Sequence, residues 1–173
     1  METEKTMPAR NAASAQDGLM EAQLFGSLSL CWNSRMLVEH AARPGKPLEL
    51  LAMLLVQRGR ALSNAQLMDA LWEEDEIENP AGALKNAVYS LRRQLAEAGG
   101  DAPFVLTENG SYRWNPQVRT ELDLWQFEDA ADVFEADGAE EAMRLAAGRT
   151  ALRIYGGDVL PGLGAKAVQL ICG

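Results

Sequence analysis

The chain has 173 residues, 47% of them hydrophobic, enough for one full domain and part of a second, and this excludes a wholly disordered protein. No run approaches the roughly 18 consecutive apolar residues of a membrane span, and the first residues lack a basic segment followed by an apolar one, so a cytoplasmic protein with no membrane partner is expected. The net charge of −9 excludes a surface that coats phosphates uniformly, and any contact with nucleic acid has to come from a local basic face.

Residues 1–22 are polar and Ala-rich, have no apolar period, and read as a disordered leader. From Gln23 the pattern alternates. Leu28, Leu30 and Trp32 fall on one face, Ser27, Ser29 and Cys31 on the other, and Asn33-Ser34 turns the chain into Met36-Leu37-Val38, which makes a hairpin with one buried face. His40 is the only histidine and has no carboxylate or cysteine companion, so it reads as surface or structural. Cys31 and Cys172 lie near opposite ends and suggest reduced thiols rather than a zinc site or a disulfide.

Leu48, Leu51, Leu54 and Leu55 recur at helical spacing between Pro47 and Arg58, and Gly59 closes that helix. The next helix has a full start signal: Ser63 as cap, Gln66 completing a capping box, and Leu62 and Leu67 placed to staple across it. It ends at Leu71-Trp72. The connection that follows carries Glu73, Glu74, Asp75, Glu76 and Glu78. Nothing orders these carboxylates around one point, so they form a solvated loop or a contact surface for a basic partner rather than a metal site.

A third helix is expected over Asn79–Ala98, with Asn79 as its cap, Pro80 in its first turn and Gly99-Gly100 at its end. At about 100° per residue, Leu84, Val88, Leu91, Leu95 and Ala98 form one stripe, with Lys85, Asn86, Tyr89 and Arg93 roughly opposite. No carboxylate lies between Pro80 and Gln94. Positive charge, an amide and an aromatic ring on one acid-free face are groups that suit a duplex groove.

Phe104 to Thr107 and Tyr112 to Trp114 flank Asn109-Gly110, the strongest short-range hairpin signal. The order hairpin, helix, helix, helix, hairpin is that of an α+β winged helix-turn-helix spanning 23–115, with Arg113 as the cation of the wing. A linker is expected from Asn115-Pro116 to about Leu122. Beyond it, in 116–173, Asp123 with Gln126 reads as another capping box opening a helix with Phe127, Ala130, Ala131 and Phe134. A second helix after Asp137-Gly138 carries Met143, Leu145, Ala146, Leu152 and Tyr155. Small residues facing aromatics suggest an α-helical, tetratricopeptide-like hairpin. One such pair cannot bury both faces, so self-association, or partial disorder beyond about residue 116, is expected. The regular signal ends at Gly164, leaving a short apolar tail.

The runs Gly59–Ser63 through Trp72, Leu84–Leu95 and Asn109–Trp114 resemble the winged helix of OmpR/PhoB-type regulators. Leu122-Asp123 to Phe127 and Ala151–Gly162 resemble the opening of the bacterial transcriptional activator domain, and together the motifs resemble the SARP class of activators. That resemblance implies sequence-specific binding to promoter DNA, usually at direct repeats, with recruitment of RNA polymerase. It implies groove contacts by Lys85, Asn86, Tyr89 and Ser90, phosphate contacts by Arg92 and Arg93, a wing contact by Arg113, and a polymerase contact in the loop from Glu73 to Asn79. It also implies that the chain stops after the first helix pair of a longer activator region.

Catalysis would need a nucleophile with a base, a metal cluster or a phosphate-cradling glycine loop, and none appears at usable spacing, so no enzyme, metal or cofactor is expected. The leading reading is a DNA-binding transcriptional regulator. The alternative, favoured by the net charge, is a protein-interaction module built on a winged helix that no longer binds DNA.

Overall fold

Two turn dipeptides set the geometry of the sheets in the computed structural model, which describes residues 18–41, 45–72, 77–99 and 102–172. Asn33 and Ser34 (φ 48° and 64°) and Asn109 and Gly110 (φ 45° and 76°) hold consecutive left-handed backbone, which two-residue hairpins need to match strand twist. β1 (Leu19–Gln23) runs antiparallel to β2 (Leu28–Trp32), and the first turn joins β2 to β3 (Arg35–Ala41). The second turn comes later in the chain and forms the wing.

Three helices separate the hairpins, in the expected order. α1 (Lys46–Val56) is buried on every side from Leu50 to Val56 and forms the centre of the core. A two-residue strand, β4 (Leu62–Ser63), leads into α2 (Asn64–Leu71). Both halves of the capping box at α2 are made: the Gln66 amide donates to Ser63 Oγ at 3.2 Å, and the Ser63 amide donates to Gln66 Oε1 at 3.0 Å. α3 (Pro80–Gly99) is capped by Asn79, whose Oδ1 accepts from the Gly82 amide at 2.9 Å. It buries Leu84, Ala87, Val88, Leu91 and Leu95. β5 (Val105–Glu108) and β6 (Ser111–Trp114) then form the wing, and β4 adds to its far edge, giving a three-stranded sheet in the order β4-β6-β5. Trp32, Phe104 and Trp114 bridge the two sheets, with ring centroids 5.0 Å and 5.8 Å apart.

The structure corrects the sequence reading at four places. Leu19–Gln23, which falls largely in the expected leader, is strand β1, with Met20 and Ala22 turned inward. Residues 1–17 of that leader lie outside the described residues. The expected linker contains β7 (Arg119–Leu122), which pairs in parallel with β1 and completes a sheet in the order β3-β2-β1-β7. The corner leading to it is wired: buried Asn115 donates from Nδ2 to the Pro103 carbonyl at 2.8 Å, and Trp114 Nε1 donates to Thr120 Oγ1 at 2.9 Å.

The third correction concerns Asp123. No side chain caps α4 (Asp123–Glu135), whose cap position is Leu122, and no capping box with Gln126 forms. The Asp123 carboxylate instead accepts from the Leu24 amide at 2.8 and 3.0 Å and from the Phe25 amide at 3.0 Å. Fourth, the apolar tail is a helix, α6 (Ala165–Cys172), set against α1 and α2. It buries Ala167 and Ile171, its Leu170 carbonyl accepts from Gln57 Nε2 at 2.7 Å, and Lys166 pairs with Asp69 at 2.5 Å.

α4 and α5 (Glu141–Ile154) form the expected helical hairpin. Phe25 meets Phe127 and Tyr155 edge-on at 5.4 Å and 5.5 Å and seats the hairpin on the first sheet. Among the described residues no helix is long and apolar enough to cross a membrane.

Asp123→Asn replaces a carboxylate that accepts three backbone amides, those of Leu24, Phe25 and Leu124, with a group whose NH₂ end repels at least one of them. We expect a loss of about 2 kcal/mol, read as a lower urea midpoint at unchanged slope. The same change at exposed Asp132 is expected to leave the midpoint in place.

Candidate nucleic-acid interface

The packing of α3 leaves its other side to solvent. Lys85, Asn86 and Tyr89 are exposed, Tyr89 to 68%, and Ser90 is half-buried. Positions 85, 86, 89 and 90 fall within one helical face, because residues three and four apart are neighbours on a helix surface. The side chains of Lys85, Asn86 and Tyr89 engage in no hydrogen bond or ion pair among the described residues, so an ammonium, an amide and a ring stand together with their bonding capacity unspent.

The arginines divide into different roles. Arg93 is open, with its only ion pair among the described residues at 3.6 Å to Glu97 one turn on, where both side chains are mostly exposed. Such a pair contributes roughly a few tenths of a kcal/mol and releases the guanidinium easily. Arg92 is committed. Its Nη2 donates to the Val105 carbonyl at 2.8 Å and to Thr107 Oγ1 at 2.7 Å, and its guanidinium lies 6.0 Å from the centre of the Tyr112 ring. It is a strut between α3 and the wing, a use that the helical period cannot reveal because its partners lie 13 and 15 residues on.

Arg113 pairs with Glu108 across the wing at 2.5 Å, and its buried Nε has no partner among the described residues. The expected wing cation is therefore held by an acid of its own hairpin. The wing turn is tied to α2 by the Asn64 amide, which donates to the Gly110 carbonyl at 3.0 Å. Of the acidic loop, Glu73, Glu74, Asp75 and Glu76 lie outside the described residues, and Glu78 is exposed next to the cap of α3.

Sequence reasoning passed over Thr107 and Tyr112, which position the wing, and Arg58, which binds the helical hairpin. The alternation of Tyr112 with Trp114 marks the buried face of that strand, whereas nothing local marks Thr107. Arg58 Nη2 donates to the Trp125 carbonyl at 3.1 Å and pairs with Glu128 at 3.1 Å and Asp129 at 2.8 Å. Burial works against its charge, but the hydrogen bonds and charges of Asp129 and Glu128 outweigh it and hold the pKa above the usual arginine value. The arrangement as a whole presents one helix with a polar, cationic outer face beside a hairpin held to it by Arg92.

Comparison with known proteins agrees with this geometry. Residues 39–113 match the family described as transcriptional regulatory protein, C terminal. The chain is similar to the regulatory protein AfsR of Streptomyces coelicolor, 31% identical over 118 residues, which is 66% of this chain and 11% of that protein. It is also similar to the solved structure of Mycobacterium tuberculosis EmbR in complex with a low affinity phosphopeptide. That match has a TM-score of 0.64 and 26% identity, and covers 83% of this chain and 38% of the other. The chain thus spans a minor part of each relative.

Arg92→Ala removes the strut without touching the core. Amide exchange in 105–114 is expected to become about fivefold faster, equivalent to about 1 kcal/mol of lost local protection, while exchange in α1 stays unchanged. Hydrogen-exchange mass spectrometry checks this.

Proposed function

We propose, for a chain whose residues 39–113 match the family described as transcriptional regulatory protein, C terminal, that it reads duplex DNA as a transcription regulator. The observation that carries this is the outer face of α3, where Lys85, Asn86 and Tyr89 are exposed with no acid before Glu97. In this reading Asn86 pairs with an adenine edge and Lys85 with guanine acceptors, while Tyr89 and Ser90 contact the adjoining sugar, phosphate or thymine methyl. Arg93 leaves its weak pair with Glu97 for a phosphate. Arg92 sets the position of the wing and lends its charge to the backbone, and Arg113 enters the minor groove on release from Glu108.

The cations available are few, so affinity is modest and strongly dependent on salt. We further propose that regulation is activation, with the acidic loop that includes Glu78 contacting RNA polymerase. Such a protein works in the cytoplasm beside the chromosome. A second reading, a winged helix that binds another protein, is favoured by the net charge of −9 and by the pairing of Arg113 with Glu108.

Selection from a random duplex pool, followed by fluorescence anisotropy of the enriched sequence at two salt concentrations, separates the two readings. With Asn86→Ala, preference at one base position is expected to relax by about 1–3 kcal/mol. With Arg93→Ala, all sequences weaken and the salt slope falls by about one. No enrichment even at low salt would leave the protein-binding reading in its place.

A further inference from the structure

Between Phe104 and Trp114 the chain carries one acid, Glu108, and one cation, Arg113. The wing register pairs Glu108 with Ser111 and Leu106 with Arg113, which puts both charges on the face turned away from buried Val105, Tyr112 and Trp114. There they meet on the diagonal. Arg113 Nη2 donates to Glu108 Oε1 at 2.5 Å, with the carboxylate side chain 51% exposed and the arginine side chain 30%. Within the hairpin the two charges cancel.

The pair is close but incomplete. A guanidinium can give an anion two parallel bonds, and the strongest arginine contacts are of that kind. Arg113 gives Glu108 one, and its buried Nε has no acceptor among the described residues. Arg58, by contrast, reaches three oxygens, those of Trp125, Glu128 and Asp129. Nor does the hairpin need the pair to hold its place. Arg92 braces Val105 and Thr107 from α3, the Asn64 amide holds the Gly110 carbonyl from α2, and β4 pairs with β6. The wing backbone is fixed on two sides, while its one cation is held by a single bond. Turning that cation outward to a phosphate gives the guanidinium the second acceptor it lacks and leaves Glu108 beside the DNA backbone without its counter-charge.

Resting on the duplex-reading function proposed above, we infer that Glu108 restrains the wing: it holds Arg113 in the free protein, competes with the DNA phosphate for it, and so limits the affinity for duplex. The exchange has a salt signature. Arg113 displaces a counterion from the DNA, and Glu108, once freed, takes one up, so the wing contributes almost nothing to the salt slope while Glu108 is charged. Without that carboxylate the release is uncompensated.

Fluorescence anisotropy over a salt series tests this, with the enriched duplex and the unselected random duplex as probes. Glu108→Gln is expected to bind the enriched duplex about tenfold more tightly than wild type and to steepen the salt slope by about one. Glu108→Ala, which removes the acceptor altogether, is expected to give the same gain with unchanged circular dichroism. In an Arg113→Ala background Glu108→Gln is expected to change affinity by no more than about twofold, because the competitor then has nothing to hold. Asp132→Asn removes the same charge from α4 and is expected to leave affinity and slope in place. If wild type binds and neither Glu108 variant binds more tightly, or if the gain persists without Arg113, the restraint is overturned and the DNA reading stands. If wild type and Glu108→Gln both fail to bind either duplex at low salt, the DNA reading falls and the restraint with it.

Discussion

The carboxylate of Asp123 fixes how the two halves of the molecule meet. It sits where β7 ends and α4 begins, and it accepts the amides of Leu24 and Phe25 where β1 ends, about a hundred residues earlier in the chain. Those amides lie past the end of a strand with no ladder partner of their own, so the carboxylate meets a need that water would otherwise fill. Its geometry also places Phe25 against Phe127 and Tyr155, and the return segment closes the seam through the Gly26 amide on the Asp158 carbonyl and the Leu160 amide on Leu24. The helical hairpin is thereby seated on the first sheet, whose buried residues share one core with α1.

Charge economy shapes the outer face of α3. Most cations that the structure describes are engaged internally: Arg58 with Glu128 and Asp129, Lys46 with Glu49, Lys166 with Asp69, Arg113 with Glu108, Arg119 with Glu121. On α3, Lys85 has no such partner among the described residues and Arg93 has only its weak pair with Glu97. An acidic chain can still present a local cationic face where one helix carries open positive charge and no acid ahead of its last turn. Screening works in favour of this division, because at about 0.15 M salt charges more than roughly 8 Å apart hardly influence each other.

Legibility in the sequence followed the range of the interaction. The α2 capping box, the Asn79 cap and the Asn109-Gly110 turn are set by residues within four positions of one another, and all were read correctly. β7 depends on pairing with β1 a hundred positions away, and Glu21, Gln23 and Glu121 give β1 and β7 little strand propensity of their own. At eight residues α6 is too short for its period to stand out, and packing on α1 and α2 supports it. Asp123 shows the failure most sharply: its spacing to Gln126 is that of a capping box, but the carboxylate binds the distant amides of Leu24 and Phe25 and the adjacent amide of Leu124 instead. Lys85, Asn86 and Tyr89 emerged on the outer face as expected, because that prediction rests only on helical period. The use of Arg92 as a strut rests on tertiary contact and stayed hidden.

The C-terminal end of α1 joins these observations. Gln57 holds α6 through the Leu170 carbonyl, Arg58 holds α4, and Gly59 at φ 84° leaves room for Pro116 close by. Arg58 itself takes a left-handed backbone, φ 49°, which costs a non-glycine residue roughly 1 kcal/mol and persists because its side chain is fixed at three points. α1, buried from Leu50 to Val56, is the helix against which α3 packs, so a displacement of α4 or α6 has to be absorbed at this corner or carried into the core under α3. Close-packed cores yield little to gradual deformation. The helical region thus reaches α3 through the core and stays away from the exposed face that carries Lys85, Asn86 and Tyr89.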